Sequence, residues 1–139
     1  MIDFEMFKRL ISTGQEVSIK VSGNSMFPFL IDKTDTVVAV RPDREIKRGD
    51  IVFFTRDDST IVMHRVAEIK DGGFYLRGDA QQKIEGPINN SQIFALVTAV
   101  IHKGRYYSEK SLHFRFYKAV WNRVIKHRPR IIRLIKRFM

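Results

Sequence analysis

Residues 50–69, "DIVFFTRDDSTIVMHRVAEI", contain two short runs rich in Val, Ile, Phe and Thr on either side of the turn signal "RDDS". Runs of this composition, bounded by Gly, Asp and Ser, are typical of β-strands. The pattern recurs between residues 16 and 101 in six runs: "EVSIKVS", "TVVAV", "DIVFFT", "STIVMHRVAEI", "GFYLRG" and "IFALVTAVI". This spacing predicts a mostly β fold, built as a compact antiparallel sheet or barrel.

The N-terminal segment has a different period. Residues 3–12 carry apolar side chains at helical spacing, with Asp3 as a candidate N-cap and Gly14 as a stop signal. A length of 139 residues fits one domain with its own core. We therefore predict a single β-rich domain over residues 1–110, in which residues 1–14 form a short amphipathic helix.

Residues 111–139 are predicted to form a basic amphipathic helical tail. They contain nine Lys or Arg and no acid, whereas residues 1–110 have 16 bases against 15 acids. Pro129 is expected to interrupt the helix because proline lacks a backbone donor, and residues 131–138 repeat the pattern of apolar residues among arginines. The apolar stripe of the first part consists of Phe114, Tyr117, Val120, Trp121, Val124 and Ile125.

Composition excludes several kinds of site. The chain has no cysteine, which rules out disulfides, thiolate metal sites and cysteine nucleophiles. Its four histidines lack the spacing of a zinc site, so we expect no metal and no cofactor. The first 13 residues lack the apolar core of a signal peptide, and no stretch approaches the roughly 18 apolar residues of a membrane span. We expect a protein that is cytoplasmic or peripherally attached to a membrane.

Three motifs follow one another in the chain: "GNSMFP" at 23–28, "RGDIVFF" at 48–54, and "VMHRVAEI" at 62–69 followed by "LRGDA" at 76–80. Each motif alone fits an ordinary turn or packed strand. Their order and spacing resemble the serine peptidase superfamily that includes signal peptidase I and the self-cleaving LexA-type repressors, over about residues 17–101. The resemblance implies the fold of that superfamily, with Ser25 as the nucleophile and His64 as the general base.

Position 64 resembles one branch of the superfamily. Bacterial signal peptidase I and LexA-type proteins have lysine at the matching position, whereas the archaeal, endoplasmic-reticulum and spore-former signal peptidases have histidine in an "HRV" context, as here. Imidazole has an unperturbed pKa near 6.5, so it is largely neutral at pH 7 and can accept the proton of a serine hydroxyl. Strand alternation places Val62, His64 and Val66 on one face, which suits a base packed toward a cleft. The alternative interpretation is a core imidazole without a catalytic role.

A Ser/His pair normally has a carboxylate that orients the imidazole. The resemblance offers two catalytic candidates, Asp79 in "GD" and Glu85 six residues later, where the family more often has Asp. The sequence does not choose between them. A glutamate in this role needs a more distant backbone because its side chain is one methylene longer.

The oxyanion hole and substrate groove are predicted around the nucleophile, at Gly23, Asn24, Met26 and Phe27, with Phe29 as a further apolar candidate. Gly23 stands where many signal peptidases have a serine, so Ser22 or Asn24 could replace that hydroxyl, and the backbone N–H of Ser25 is the expected donor. The resemblance implies an extended peptide substrate bound by strand addition. It further implies a leader or signal-like peptide with small residues before the cut.

The tail allows several partners. Its basic residues could attract an anionic membrane surface, with Phe114, Trp121 and Phe138 at the interface, or its apolar stripe could pack on the domain. A docked partner protein is a further option, whereas nucleic acid is disfavoured because no helix-turn-helix or aromatic platform accompanies the bases. LexA-like self-cleavage is also disfavoured, since residues 1–24 hold neither a DNA-binding domain nor an Ala-Gly bond. The alternative to an enzyme is a non-catalytic binding or regulatory module on the same fold.

Overall fold

The structure is a computed structural model that describes residues 3–121 and 128–138. Its helices are α1 (Phe4–Ser12), α2 (Leu112–Val120) and α3 (Arg128–Arg137), and a 3-10 turn spans Asn90–Gln92. The strands are β1 (Val17–Lys20), β2 (Thr36–Val40), β3 (Ile51–Thr55), β4 (Ile61–Lys70), β5 (Gly73–Arg77), β6 (Glu85–Ile88), β7 (Ile93–His102) and β8 (Arg105–Ser108).

All eight strands belong to one antiparallel sheet. The hydrogen-bonded order is β1-β2-β7-β3-β4-β5-β6, and β8 pairs with β7 beside this path. The mostly β fold class predicted from the sequence is confirmed, and each of the six predicted runs contains a strand. The register of β3 against β4 sets Val52 opposite His64 and Ile51 opposite Arg65.

Two strands were not predicted. β6 reads "EGPI" and contains a glycine and a proline, which are depleted in strands, so composition gave no signal. β8 follows β7 through a tight turn in which Lys103 and Gly104 both have positive φ, of 50° and 80°. Two successive residues with positive φ are typical of the turns that match the twist of a β-hairpin.

The sheet has an apolar cluster on each face, which explains why β3 is buried along most of its length. Ile51 and Phe53 belong to the cluster that α1 and α2 cover, whereas Val52 and Phe54 belong to the cluster beside β5 and β6. Successive side chains of a strand point to opposite faces, so a strand between two cores is apolar at every position.

Helix α1 forms as predicted. The side chain of Asp3 accepts hydrogen bonds from the backbone N–H groups of Glu5 and Met6, which satisfies donors of the first turn. The chain leaves the helix through Gly14, whose φ of 89° suits glycine. Phe7 anchors the helix on the sheet, because its ring packs edge-on against Phe53 at 4.9 Å between centroids.

Helix α2 packs on the sheet. Ser111 caps it by accepting a hydrogen bond from the N–H of Phe114, and Phe114 is buried in the cluster beneath α1. Trp121 is also buried, so two of the three aromatic residues considered for a membrane interface contact the domain, whereas Phe138 is 80% exposed. No helix in the described part of the chain is both long and apolar enough to cross a membrane.

Helix α3 begins at Arg128, so Pro129 lies in its first turn. Backbone N–H groups of a first turn have no acceptor within the helix, so the missing N–H of proline costs no hydrogen bond there. The predicted contribution of Val124 and Ile125 to the apolar stripe, and most of the segment between α2 and α3, lie outside the described residues. Helix α3 contacts the segment around Ser25, since Lys136 Nζ lies 5.5 Å from the centroid of the Phe27 ring.

Candidate active site

Ser25 lies half-buried in the connection between β1 and β2, and this connection docks on the residues that follow β5. The backbone carbonyl of Ser25 accepts a hydrogen bond of 2.9 Å from the N–H of Ala80. A Cβ placed on Gly78 would lie 2.5 Å from that carbonyl and 3.1 Å from the Ser25 Cβ. Residue 78 is therefore glycine because the Ser25 backbone occupies the space of a side chain.

His64 lies on β4 with 5% of its surface exposed, and the ring of Phe54 packs at 6.0 Å between centroids. Burial lowers the pKa of His64 from 6.5 to about 4; Glu85 and Asp79 oppose this shift and Arg56 adds to it. The imidazole is thus neutral at pH 7 and able to accept a proton. Its Nδ1 is buried and has no hydrogen-bond partner among the described residues, Ser25 Oγ included.

Ser25 and His64 approach the same segment, residues 78–81. His64 lines an open cavity of about 800 Å³ together with Arg56, Gln81 and Glu85. The Gln81 amide oxygen lies 2.8 Å from the position of a Cβ on Gly78, and the Ser25 Cβ lies 3.1 Å from that same position. Gln81 thus lines the cavity of His64 and also adjoins Gly78, against which the Ser25 backbone packs.

Asp79, one of the two candidate acids, is engaged in a buried ion pair. Its two carboxylate oxygens accept hydrogen bonds from Arg65 Nε at 2.8 Å and Nη2 at 2.9 Å, and both side chains are 1% exposed. Arg65 Nη1 also donates to the carbonyl of Gly49, and Trp121 Nε1 donates to the Asp79 carbonyl. The "HRV", "GD" and "RGD" motifs therefore meet in one buried network that joins β3, β4 and α2 to the loop beside Ser25.

Glu85, the other candidate acid, lines the same cavity as His64. Its carboxylate accepts hydrogen bonds from Arg56 Nε at 2.7 Å and Nη2 at 2.9 Å. These bonds lower the pKa of Glu85 below its ordinary value, so the group is ionised at neutral pH. The side chain of Glu85 is 27% exposed and that of Arg56 40%, whereas the side chains of Arg65 and Asp79 are almost fully buried.

A family model matches the part of the chain that carries these candidate residues. The model of the family described as Peptidase S24-like matches residues 3–98, which include Ser25, His64, Asp79 and Glu85. The chain belongs to the Peptidase S24-like family. Comparisons with curated proteins and with solved structures returned no match. Membership in the Peptidase S24-like family supports a serine peptidase-type function in general, with a peptide or protein as substrate.

The residues predicted for the oxyanion hole and groove of this S24-like domain differ in exposure. Gly23 and Asn24 are exposed, and the N–H of Gly23 donates to Asp32 Oδ1 at 2.8 Å. Met26 and Phe27 are buried. Phe29 is buried as well, with its ring on Phe114 and Tyr117 of α2.

A smaller apolar cavity of about 120 Å³ adjoins the chain just before Ser25. It lies between the β1 end of the sheet and the start of β4. Strand β4 pairs with β3 from Ile61 to Arg65 but with β5 only from Arg65 onward, so the first residues of β4 have one edge that β5 does not cover. The lining residues include Ile19, Val21, Ser22, Phe53, Ile61 and Met63.

Sequence reasoning missed three residues around the candidate site: Arg56, Arg65 and Trp121. Arg65 had a usable signal, because an arginine inside an otherwise apolar strand must find a buried partner. Arg56 and Trp121 had none, since their partners are 29 and 42 residues away in sequence. No cluster of three His, Asp or Glu side chains in residues 3–121 and 128–138 is arranged to hold a metal ion.

Proposed function

We propose that the chain is a serine endopeptidase in which Ser25 is the nucleophile and His64 the general base. Ser25 Oγ attacks the peptide carbonyl while the imidazole takes the hydroxyl proton, and the backbone N–H of Ser25 donates to the oxyanion. The imidazolium gives this proton to the leaving amine, which departs and leaves an acyl ester on Ser25. Water, deprotonated by His64, then hydrolyses the ester and restores the hydroxyl.

One observation carries this proposal: a neutral imidazole with an unpartnered nitrogen lines an open cavity beside the segment that carries Ser25. A buried polar atom without a partner is costly in a purely structural position, so it indicates a functional group awaiting substrate or a catalytic partner. The histidine at position 64 also favours a mechanism of the Ser/His signal peptidase type.

Glu85 is the better candidate for the acid that orients His64. Both oxygens of Asp79 are taken by Arg65 in a pair that is 1% exposed, and moving Asp79 would leave a buried guanidinium unpaired. Glu85 lines the His64 cavity and is the carboxylate with the larger effect on the His64 pKa. We therefore propose that Asp79 stabilises the structure around the site and that Glu85 orients the His64 imidazole.

The proposed substrate is an extended peptide of the leader or signal-like class. It would add as a strand between the edge of β1 and the uncovered edge of Ile61–Met63, leading to Ser25. The cavity of about 120 Å³ between these edges would take a small apolar side chain near the cut. Gly23, Asn24, Met26 and Phe27 are proposed to border this groove, with Met26 and Phe27 contributing mainly backbone because their side chains are buried.

The test uses a mixture of unstructured peptides of diverse sequence, with cleavage sites identified by mass spectrometry. We expect cleavage by the wild-type chain and a loss of roughly 1,000-fold or more in Ser25→Ala and in His64→Gln. Ser91→Ala, at an exposed serine distant in sequence, is the matched control and should cleave normally. Cleavage that survives Ser25→Ala in a folded protein would refute the assignment.

A non-catalytic peptide-binding module is the second candidate, and the edge of Ile61–Met63 that β5 does not cover favours it, because a peptide can pair there without any chemistry. This function predicts that wild type and Ser25→Ala bind the same peptides with equal affinity and that neither cleaves them. Isothermal titration with both proteins, followed by mass analysis of the peptide, separates the two functions. Cleavage by the wild type alone would exclude the binding module.

For the tail we propose contact with an anionic membrane surface through α3. Exposed Leu134 lies on this helix with Arg130, Arg133 and Arg137, and exposed Phe138 follows it directly. Interfacial helices use this mixture of bases and bulky apolar side chains. We expect sedimentation with phosphatidylserine vesicles that weakens at least several-fold in Leu134→Ser/Phe138→Ser. Equal binding by this variant, or salt-dependent binding to DNA in preference to vesicles, would contradict the proposal.

A further inference from the structure

The carboxylate that the proposed mechanism needs for His64 is held by another residue. Arg56 binds both oxygens of Glu85 through Nε and Nη2, at 2.7 and 2.9 Å. Arg56 lies in the turn between β3 and β4, and its backbone N–H donates to the carbonyl of Thr60 at 2.8 Å. The turn backbone thus fixes the point from which the guanidinium reaches Glu85, at the start of β6.

The imidazole of His64 lacks the partner that Glu85 would supply. Its Nδ1 is buried without a hydrogen bond among the described residues. The charged groups around the ring are Glu85 from β6, Arg56 from the β3–β4 turn and Asp79 after β5, and on β3 its neighbour is the ring of Phe54. Because Arg65 binds both Asp79 oxygens, Glu85 is the carboxylate that can change partner at the lower cost.

We propose that Arg56 is a positioning residue that competes with His64 for the Glu85 carboxylate and holds the site in a resting state of low activity. The inference rests on the proposed function, in which His64 is the base. Transfer of the Glu85 carboxylate from Arg56 to His64 should cost little free energy. Arg56 and Glu85 are partly exposed, at 40% and 27%, and an exposed ion pair contributes only about 0–1 kcal/mol to stability. A peptide that occupies the cavity and draws Arg56 away would leave Glu85 to the imidazole.

The first experiment needs no turnover. Ring resonances of His64 are followed by NMR against pH in Ser25→Ala, alone and with Arg56→Gln. We expect the His64 pKa to rise by about one unit or more in Arg56→Gln, because the freed carboxylate favours the imidazolium. In the Ser25→Ala/Glu85→Gln background, where no carboxylate is left to transfer, adding Arg56→Gln should raise the His64 pKa much less.

The triple variant separates carboxylate transfer from the simple removal of a positive charge. If the triple variant exceeds Ser25→Ala/Glu85→Gln in His64 pKa by as much as Arg56→Gln raises it when Glu85 is present, the rise comes from the missing arginine charge alone and the inference is overturned. No rise in Arg56→Gln would overturn it as well. Arg56→Lys, which keeps the charge but cannot bind both oxygens in parallel, should give an intermediate shift.

Peptide cleavage is the second readout. We expect Arg56→Gln to raise kcat/KM several-fold at pH 7 and Arg56→Gln/Glu85→Gln to fall well below the wild type. A fall in Arg56→Gln alone would overturn the inhibitory role and assign Arg56 a supporting one. If no Ser25-dependent cleavage is found, the proposed function fails, whereas the NMR shift still decides whether Arg56 and His64 share Glu85.

Discussion

Asp79→Asn should lower the free energy of unfolding much more than Glu85→Gln does. The substitution removes the charge that balances Arg65, in a pair whose side chains are both 1% exposed. Removing one partner of a buried ion pair typically costs about 3–5 kcal/mol, because the remaining charge is left without compensation. Glu85→Gln breaks a pair that is 27% and 40% exposed, where the expected cost is about 1 kcal/mol or less.

Urea unfolding followed by fluorescence measures both free energies of unfolding. Trp121 is the only tryptophan, and its indole N–H donates to the Asp79 carbonyl, so its emission reports on this network. The double variant Arg65→Met/Asp79→Leu removes both charges and should recover much of the loss. The reasoning is refuted if Asp79→Asn costs less than about 1 kcal/mol, or less than Glu85→Gln.

Three further predictions concern His64, Phe114 and Gly78. The pKa of His64 is about 4 in the folded protein and 6.5 in the unfolded chain, so protonation favours the unfolded state. The free energy of unfolding should therefore rise by roughly 3 kcal/mol from pH 4 to 6.5 relative to His64→Gln, and equal pH slopes for the two proteins would contradict this. Phe114→Ala should cost about 3–5 kcal/mol in urea unfolding because the ring is 2% exposed, and a loss below 1 kcal/mol would show that α2 packs only loosely. Gly78→Ala should lower peptide cleavage at least tenfold by displacing the Ser25 carbonyl, 2.5 Å from the new Cβ. Ser91→Ala, at an exposed position, is the control, and equal activity in both variants would refute the packing argument.

The strands could be predicted wherever side-chain pattern determines them. Strand β3 is apolar at four successive buried positions because both faces of the sheet are covered there. Strands β6 and β8 have no such pattern, since β6 contains Gly86 and Pro87 and no residue of β8 is buried. Their pairing with β5 and β7 is specified by neighbours and turn geometry, which composition does not encode.

The residues of the candidate site could be proposed from motifs, but their roles depend on partners far away in sequence. The sequence gives no reason to prefer Asp79 over Glu85. The structure distinguishes them by their partners: Arg65 binds Asp79 in the core, whereas Arg56 binds Glu85 at the edge of a cavity. The sequence likewise left open where the tail aromatics lie: Phe114 anchors α2 because the sheet offers its ring an apolar surface.

The most direct test of the account is covalent labelling of Ser25 by a fluorophosphonate, in which Oγ attacks phosphorus, fluoride leaves and His64 accepts the proton. Intact-mass and peptide analysis should find one adduct, located on Ser25, in the wild-type chain and none in Ser25→Ala. In His64→Gln the labelling rate should fall at least 100-fold, in line with the loss of a general base. Labelling that is absent from Ser25 in the wild type, or that proceeds equally fast in His64→Gln, would contradict the Ser25/His64 mechanism.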